Sequence, residues 1–343
     1  MPTCLLCKKN NANQTGSHIV PHFILKRIEN VNNSPLRHKE VSFVIGEKFE
    51  TFYVGNAVLP EQYEEVLGQL SDEEIVKLKN PSVHDHLFCT SCEDRFGAVE
   101  SEYSKSISIF DNQPVYKSKN ESGVAFLLWT SILWRLSISP SHKFKLVVDE
   151  EEQLRSLLDS YLKEKVNTID FKALYGDKNY SDLGYQLMRS VNYSNDNATF
   201  LLFDPANTRP YSIIVDEFVL LFYFNSEESA SPQFSFFGFE THIKETPINK
   251  TYSAESIHSL CVEQFKQGLL NVADRVAIQR LHFYDSMFDH IHVVMGGKGN
   301  KMPQFIKQNI ITRIVNSEKE IGRKYNIDEI TKIIYEEMSK FTG

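Results

Sequence analysis

The sequence predicts an α+β protein in two parts: a small metal-stapled N-terminal module, then a mainly helical part that contains an antiparallel sheet. Three observations carry this expectation. Cysteine pairs stand at Cys4-Leu5-Leu6-Cys7 and Cys89-Thr90-Ser91-Cys92. Strand-like apolar runs bounded by turn residues cluster between Ala198 and Phe239. Apolar residues at helical spacing fill much of 124–165 and most of the chain after Ala254.

Each C-x2-C pair can set both sulfurs on one side of a tight turn, so two pairs supply the four thiolates of a closed tetrahedral zinc site. Disulfides are the competing reading. Cysteines three apart make strained bridges, and the segment after Met1 lacks the basic, apolar and cleavage blocks of a signal peptide. The fifth cysteine, Cys261, lies in an apolar helical stretch and is expected to be a small core residue.

A chain of 343 residues with 41% hydrophobic and 12% aromatic residues suits two or three domains with ordinary cores. The expected division is a zinc module at 1–111, with an insertion at about 29–83, and a second region at 124–343. A net charge of −8 argues against a strongly basic nucleic-acid coat protein but leaves room for a local basic groove. No window reaches the roughly 20 apolar residues of a membrane span. Cysteine usage suits a reducing compartment, so a cytoplasmic protein without a membrane partner is expected.

In chain order, 18–29 should start extended, because Pro21 restricts its predecessor, and then turn helical. Val41–Val54 alternates and breaks at Gly46, the pattern of a β-hairpin. Short helices are expected at 60–70 and 71–79, the second with Ser71 three residues before Glu74 as a capping box. Cys92 should open a helix towards Phe110, with Glu93 and Asp94 in its first turn, where the helix dipole favours negative charge. The polar stretch Asn112–Gly123 reads as a boundary between domains. Val124–Ile138 is apolar nearly all round, which predicts a buried helix ending before Pro140. Glu150–Lys165 is amphipathic. Strands are expected at Ala198–Phe203, Tyr211–Phe224 and Phe234–Phe239 as an antiparallel meander, and helices at Ala254–Leu281, Pro303–Asn316 and Ile327–Phe341.

Between the two cysteine pairs runs Ser17-His18-Ile19-Val20-Pro21, and Leu87-Phe88 leads into the second pair. A knuckle, then a histidine followed by two aliphatics and proline, then an apolar run into a second knuckle resembles the zinc-containing HNH endonucleases. The resemblance covers about the first hundred residues. It implies a treble-clef, ββα-type module with a structural zinc ion held by Cys4, Cys7, Cys89 and Cys92. It also implies a metal-dependent nuclease acting on nucleic acid, DNA more than RNA, in a bacterial phage-defence or mobile-element setting.

By that resemblance His18 is the general base that deprotonates water, beside a catalytic Mg²⁺ or Mn²⁺. Two positions depart from the family pattern. Ser17 stands where many members have Asp, and Glu93 stands where His or Asn is usual, although a carboxylate is a good hard ligand for Mg²⁺ or Mn²⁺. Glu100, two turns further along the expected helix, either supports Glu93 or is solvated. His84 and His86 precede the second knuckle on one face of an expected strand, and either can orient a phosphate. Lys26, Arg27, Arg37 and Lys39 are candidate phosphate contacts. The alternative reading is a non-catalytic zinc scaffold for nucleic-acid or protein recognition, and the C-terminal region can serve a protein partner or a homo-oligomer.

Elsewhere, His282, Asp285, Asp289, His290 and His292 form a titratable group that reads as a polar helix face before it reads as a metal site. The glycine- and lysine-rich 296–301 lacks the spacing of a phosphate loop and reads as a flexible basic loop. No other Cys or His spacing predicts a second metal site.

Overall fold

The structure, a computed structural model, describes residues 2–29, 41–45, 50–54, 82–111, 113–142, 144–197, 200–225, 238–321 and 327–340. Strand β1 (Ser17–His18) leads into helix α1 (His22–Glu29), which begins directly after Pro21. Strands β2 (Val41–Ile45) and β3 (Glu50–Val54) form the expected hairpin, with Val41 opposite Val54. The helices expected at 60–70 and 71–79 lie outside the described residues. Strand β4 (Val83–His84) returns antiparallel to β1, so that Ser17 faces His84 and His18 faces Val83.

Helix α2 (Thr90–Ser104) starts from Cys89 as its N-cap and stops at Lys105, earlier at both ends than the sequence suggested. The stretch read as a domain boundary contains strand β5 (Val115–Lys117). Helices α3 (Ser122–Ile138), α4 (Val148–Tyr161) and the short α5 (Phe171–Gly176) follow. Every residue of α3 from Gly123 to Ser137 is buried. That accounts for its lack of a polar face, because it is covered on all sides. At its start a Cβ on Gly123 would fall 2.4 Å from the Phe171 ring, so only glycine lets α3 approach α5 this closely.

The remaining strands are β6 (Gly184–Arg189), β7 (Phe200–Thr208), β8 (Tyr211–Asp216), β9 (Phe218–Tyr223) and β10 (Ser256–Ser259). Between them lie α6 (Tyr193–Asp196) and α7 (Glu240–Glu245). Together with β5 they make a six-stranded sheet in the order β5-β10-β6-β9-β8-β7, in which β10 and β6 run parallel and the other pairs antiparallel. The expected meander is therefore half of a larger sheet. The run Tyr211–Phe224 divides at Asp216, whose φ of 55° turns the chain into β9. Phe239 caps α7, and the other residues of the expected third strand at 234–237 lie outside the described set.

Helix α8 (Val262–Val294) begins later than the expected Ala254, because the residues before it form β10. Its N-cap is Cys261, whose backbone amide donates to Gln264 Oε1 at 2.9 Å. Cys261 is exposed and not the core residue its apolar surroundings implied. Helices α9 (Gln304–Ile321) and α10 (Ile327–Ser339) close the chain. Among the described residues no helix is long and apolar enough to cross a membrane.

One buried cluster runs from Cys4, Ile19 and Phe88 through Trp129 and Leu154 to Tyr185 and Phe222. The N-terminal module and one face of the sheet thus share a core that spans the connection at 112–123. A second cluster covers the other sheet face. Along β9, Phe218, Leu220 and Phe222 join the first cluster, whereas Val219, Leu221 and Tyr223 join the second. This is period-two alternation with both faces covered, so the strand reads as one continuous apolar run. A third cluster joins the end of α8 to α9 and α10 through Phe288, Ile310 and Ile334.

Candidate metal centre and the site beside it

The first knuckle is a tight turn, in which Lys8 N donates to Cys4 O at 3.0 Å and Lys8 adopts φ 53°. Hydrogen bonds from Leu5 N to Leu87 O and from Gln14 N to Phe88 O, both 3.0 Å, lay this turn against the approach to the second pair. Cys89 caps α2 and Cys92 lies in its first turn, where the helix dipole favours thiolate. Asn10 Nδ2 donates to Cys89 Sγ at 3.6 Å and Arg95 Nη1 to Cys92 Sγ at 3.8 Å.

All four sulfurs lie within 4.8 Å of one another, and all five cysteines of the chain are free thiols. A tetrahedral zinc site with bonds of about 2.3 Å sets sulfurs about 3.8 Å apart, a spacing that this grouping accommodates. The hydrogen bond from Cys92 draws the Cys4 thiol down to about 4, whereas Cys92 is pushed up by that same contact and by burial. The donor set fits a structural zinc ion.

Past this centre, the β1–β4 pair lies against α2. Ser17 is fully buried, and its hydroxyl donates to Glu93 Oε2 at 3.0 Å. Burial pushes the Glu93 carboxyl up, countered by the guanidinium of Arg135 and by the Ser17 hydrogen bond. Arg135, on α3, was not singled out from the sequence. It is 1% exposed, its Nη1 donates to the His18 carbonyl at 2.8 Å, and its Nη2 pairs with Glu100 at 2.7 Å. Its guanidinium also stands 4.9 Å from the Phe96 ring centre. Glu100 pairs with this buried cation, a role that neither of its two sequence readings gave it.

The His18 ring stands 5.4 Å from that of His22, edge to face, at the start of α1. His84 Nε2 lies 3.2 Å from Ser139 Oγ, which in turn is 2.8 Å from His142 Nδ1. His86 departs from expectation. Strand β4 ends at His84, and His86 is an exposed residue with φ 63° whose Nδ1 lies 3.2 Å from Ala12 O. The two histidines therefore do not share a strand face. Lys26 and Arg27 lie on α1 but their side chains, like Arg37 and Lys39, are outside the described residues.

The C-terminal titratable group resolves mostly into structural pairings. Asp285 and Asp289 flank Lys307 at 2.8 and 2.7 Å, and His292 Nε2 lies 3.2 Å from Lys298 O. A different cluster, missed in the sequence, does have metal-ligand spacing. His242, Glu245 and His258 bring one donor atom each within 4.8 Å of the others. Its only sequence signal is the i, i+3 pair His242 and Glu245, because His258 joins through the sheet. No family model, no curated protein and no solved structure matches the chain.

Proposed function

We propose that the N-terminal site is a metal-dependent HNH-type endonuclease site hydrolysing nucleic-acid phosphodiesters, DNA in preference to RNA. The observation that carries the reading is the Ser17–Glu93 hydrogen bond of 3.0 Å. It joins the residue before His18 to the residue after the last knuckle cysteine, the two positions from which the resembling nucleases hold their metal.

Mg²⁺ fits a sparse protein donor set, because it commonly takes one or two carboxylates and completes its shell with water and substrate phosphate. A bound Mg²⁺ or Mn²⁺ supplies positive charge to the scissile phosphate and to the departing 3′ oxygen. Glu93 is the residue that would hold it, with Ser17 orienting the carboxylate. His18 takes the proton of the attacking water, a task suited to an imidazole that is neutral near pH 7. Arg135 acts through the His18 carbonyl and through Glu100 as a positioning residue. His84, tied to Ser139, orients the phosphate. The four-cysteine centre is structural, and bacterial phage defence or a mobile element is the setting this reading suggests.

A second reading has its own support. Among the described residues, no group of three metal-ligating side chains forms around His18. A zinc-stapled scaffold for nucleic-acid or protein recognition fits that sparse donor set equally well. Nicking of supercoiled plasmid with Mg²⁺, with Mn²⁺ and with zinc alone separates the two. The nuclease reading predicts cleavage that requires Mg²⁺ or Mn²⁺, and the scaffold reading predicts binding without cleavage.

A further inference from the structure

We propose that His242, Glu245 and His258 form a second metal site that binds a zinc-class divalent cation, independent of the four-cysteine centre and of the nuclease reading. The three donor atoms converge to within 4.8 Å without an ion. A tetrahedral ion with bonds of about 2.0–2.1 Å needs donors about 3.4 Å apart, a closure within reach of side-chain rotation.

Sequence and topology together create the convergence. On α7, His242 and Glu245 are three residues apart and so share one helix face. On β10, Ile257 points into the first core, so its neighbour His258 points to the opposite sheet face, where α7 packs through Ile243.

Each imidazole carries a buried nitrogen without a partner among the described residues. Nδ1 of His242 and Nδ1 of His258 are shielded from solvent and have no hydrogen-bond partner there, and His258 is only 5% exposed. A buried polar atom left unpaired is costly, and such atoms are few in folded proteins. A metal ion bound through these nitrogens would relieve that cost. The two rings meet edge to face, with 5.3 Å between their centres at 60°.

The carriers of the three ligands are held firmly. Gln186 Nε2 donates to the carbonyls of Ile243 and Thr246 at 2.8 and 2.5 Å, and Thr246 Oγ1 donates to His242 O at 2.6 Å. Tyr223 donates in turn to Gln186 Oε1. On the strand side, Asn249 brackets Ser256 with bonds of 2.7 and 2.9 Å. These bonds fix the backbone positions of α7 and β10 that carry the three side chains.

Two histidines and one carboxylate are the nitrogen–oxygen donor set of zinc and neighbouring divalent metals, distinct from the all-sulfur set at the knuckles. Glu245 is exposed, so the cluster has one side towards solvent.

Cobalt(II) titration of the full-length chain tests the assignment, because thiolate-bound cobalt shows an intense sulfur charge-transfer band and His/carboxylate-bound cobalt does not. Wild type should take up two equivalents, only one of which produces that band. Glu245→Ala, at an exposed position, and His242→Gln should each weaken the second equivalent by about tenfold to a hundredfold while the charge-transfer band stays intact. Uptake of a single equivalent by wild type, or unchanged uptake by both folded variants, would overturn the proposal.

Discussion

The guanidinium of Arg135 donates to the backbone carbonyl of His18 at 2.8 Å from a side chain that is only 1% exposed. The same group pairs with Glu100 at 2.7 Å and packs on Phe96, so one buried cation ties β1, α2 and α3 together. Removing one partner of a buried pair is costly because the other charge stays buried. Arg135→Met should therefore lower stability by about 3–5 kcal/mol in urea unfolding. Adding Glu100→Leu to that variant should recover much of the loss, and a single-variant cost below about 1 kcal/mol would contradict this account.

The four-cysteine centre makes a separate prediction. Metal binding free energy at such a site is part of folding free energy. Cys89→Ser should release about one zinc equivalent per chain and loosen the N-terminal module, read as faster proteolysis before residue 111. Full zinc retention would refute the assignment.

Thiol labelling checks the same centre from outside. Cys261 is exposed at the start of α8, whereas the other four cysteines point at a common centre. The zinc-loaded native chain should react with a soluble disulfide reagent at one thiol, and at all five once it is denatured with chelator. Rapid reaction of several thiols in the native, zinc-loaded protein would argue against a closed site.

His142 sets a pH dependence. Burial first, then the neighbouring His84 and Lys145, holds it down at about 4 from its usual 6.5. The unfolded chain binds its proton first as pH falls, so the stabilisation is complete above about 6.5 and is lost as pH drops towards 4. The loss approaches about 3 kcal/mol at most. His142→Asn should flatten that part of the stability–pH curve. An unchanged slope between pH 6.5 and 4 would place the dependence elsewhere.

Legibility in the sequence followed how local each signal is. The knuckles, the Val41–Val54 hairpin and the amphipathic α4 are set by spacing within a few residues, and their reading agrees with the structure. Strand β6 (GYQLMR) is buried at all six positions between two other strands, so it has no polar alternation to betray it. The four-residue β10 gains its identity only from β5 and β6 beside it. Arg135 reads as one cation in an apolar helix, since its partners His18 and Glu100 come from distant parts of the chain. His258 lacks meaning as a ligand until the sheet brings it under α7.

We propose that His18 activates water at this site. Plasmid nicking in Mg²⁺ or Mn²⁺ by wild type and by His18→Ala measures it most directly, with zinc content and DNA binding followed in the same samples. His18→Ala should nick more slowly by a factor of about a hundred or more, with zinc and binding preserved. Equal nicking rates in the two proteins would contradict it.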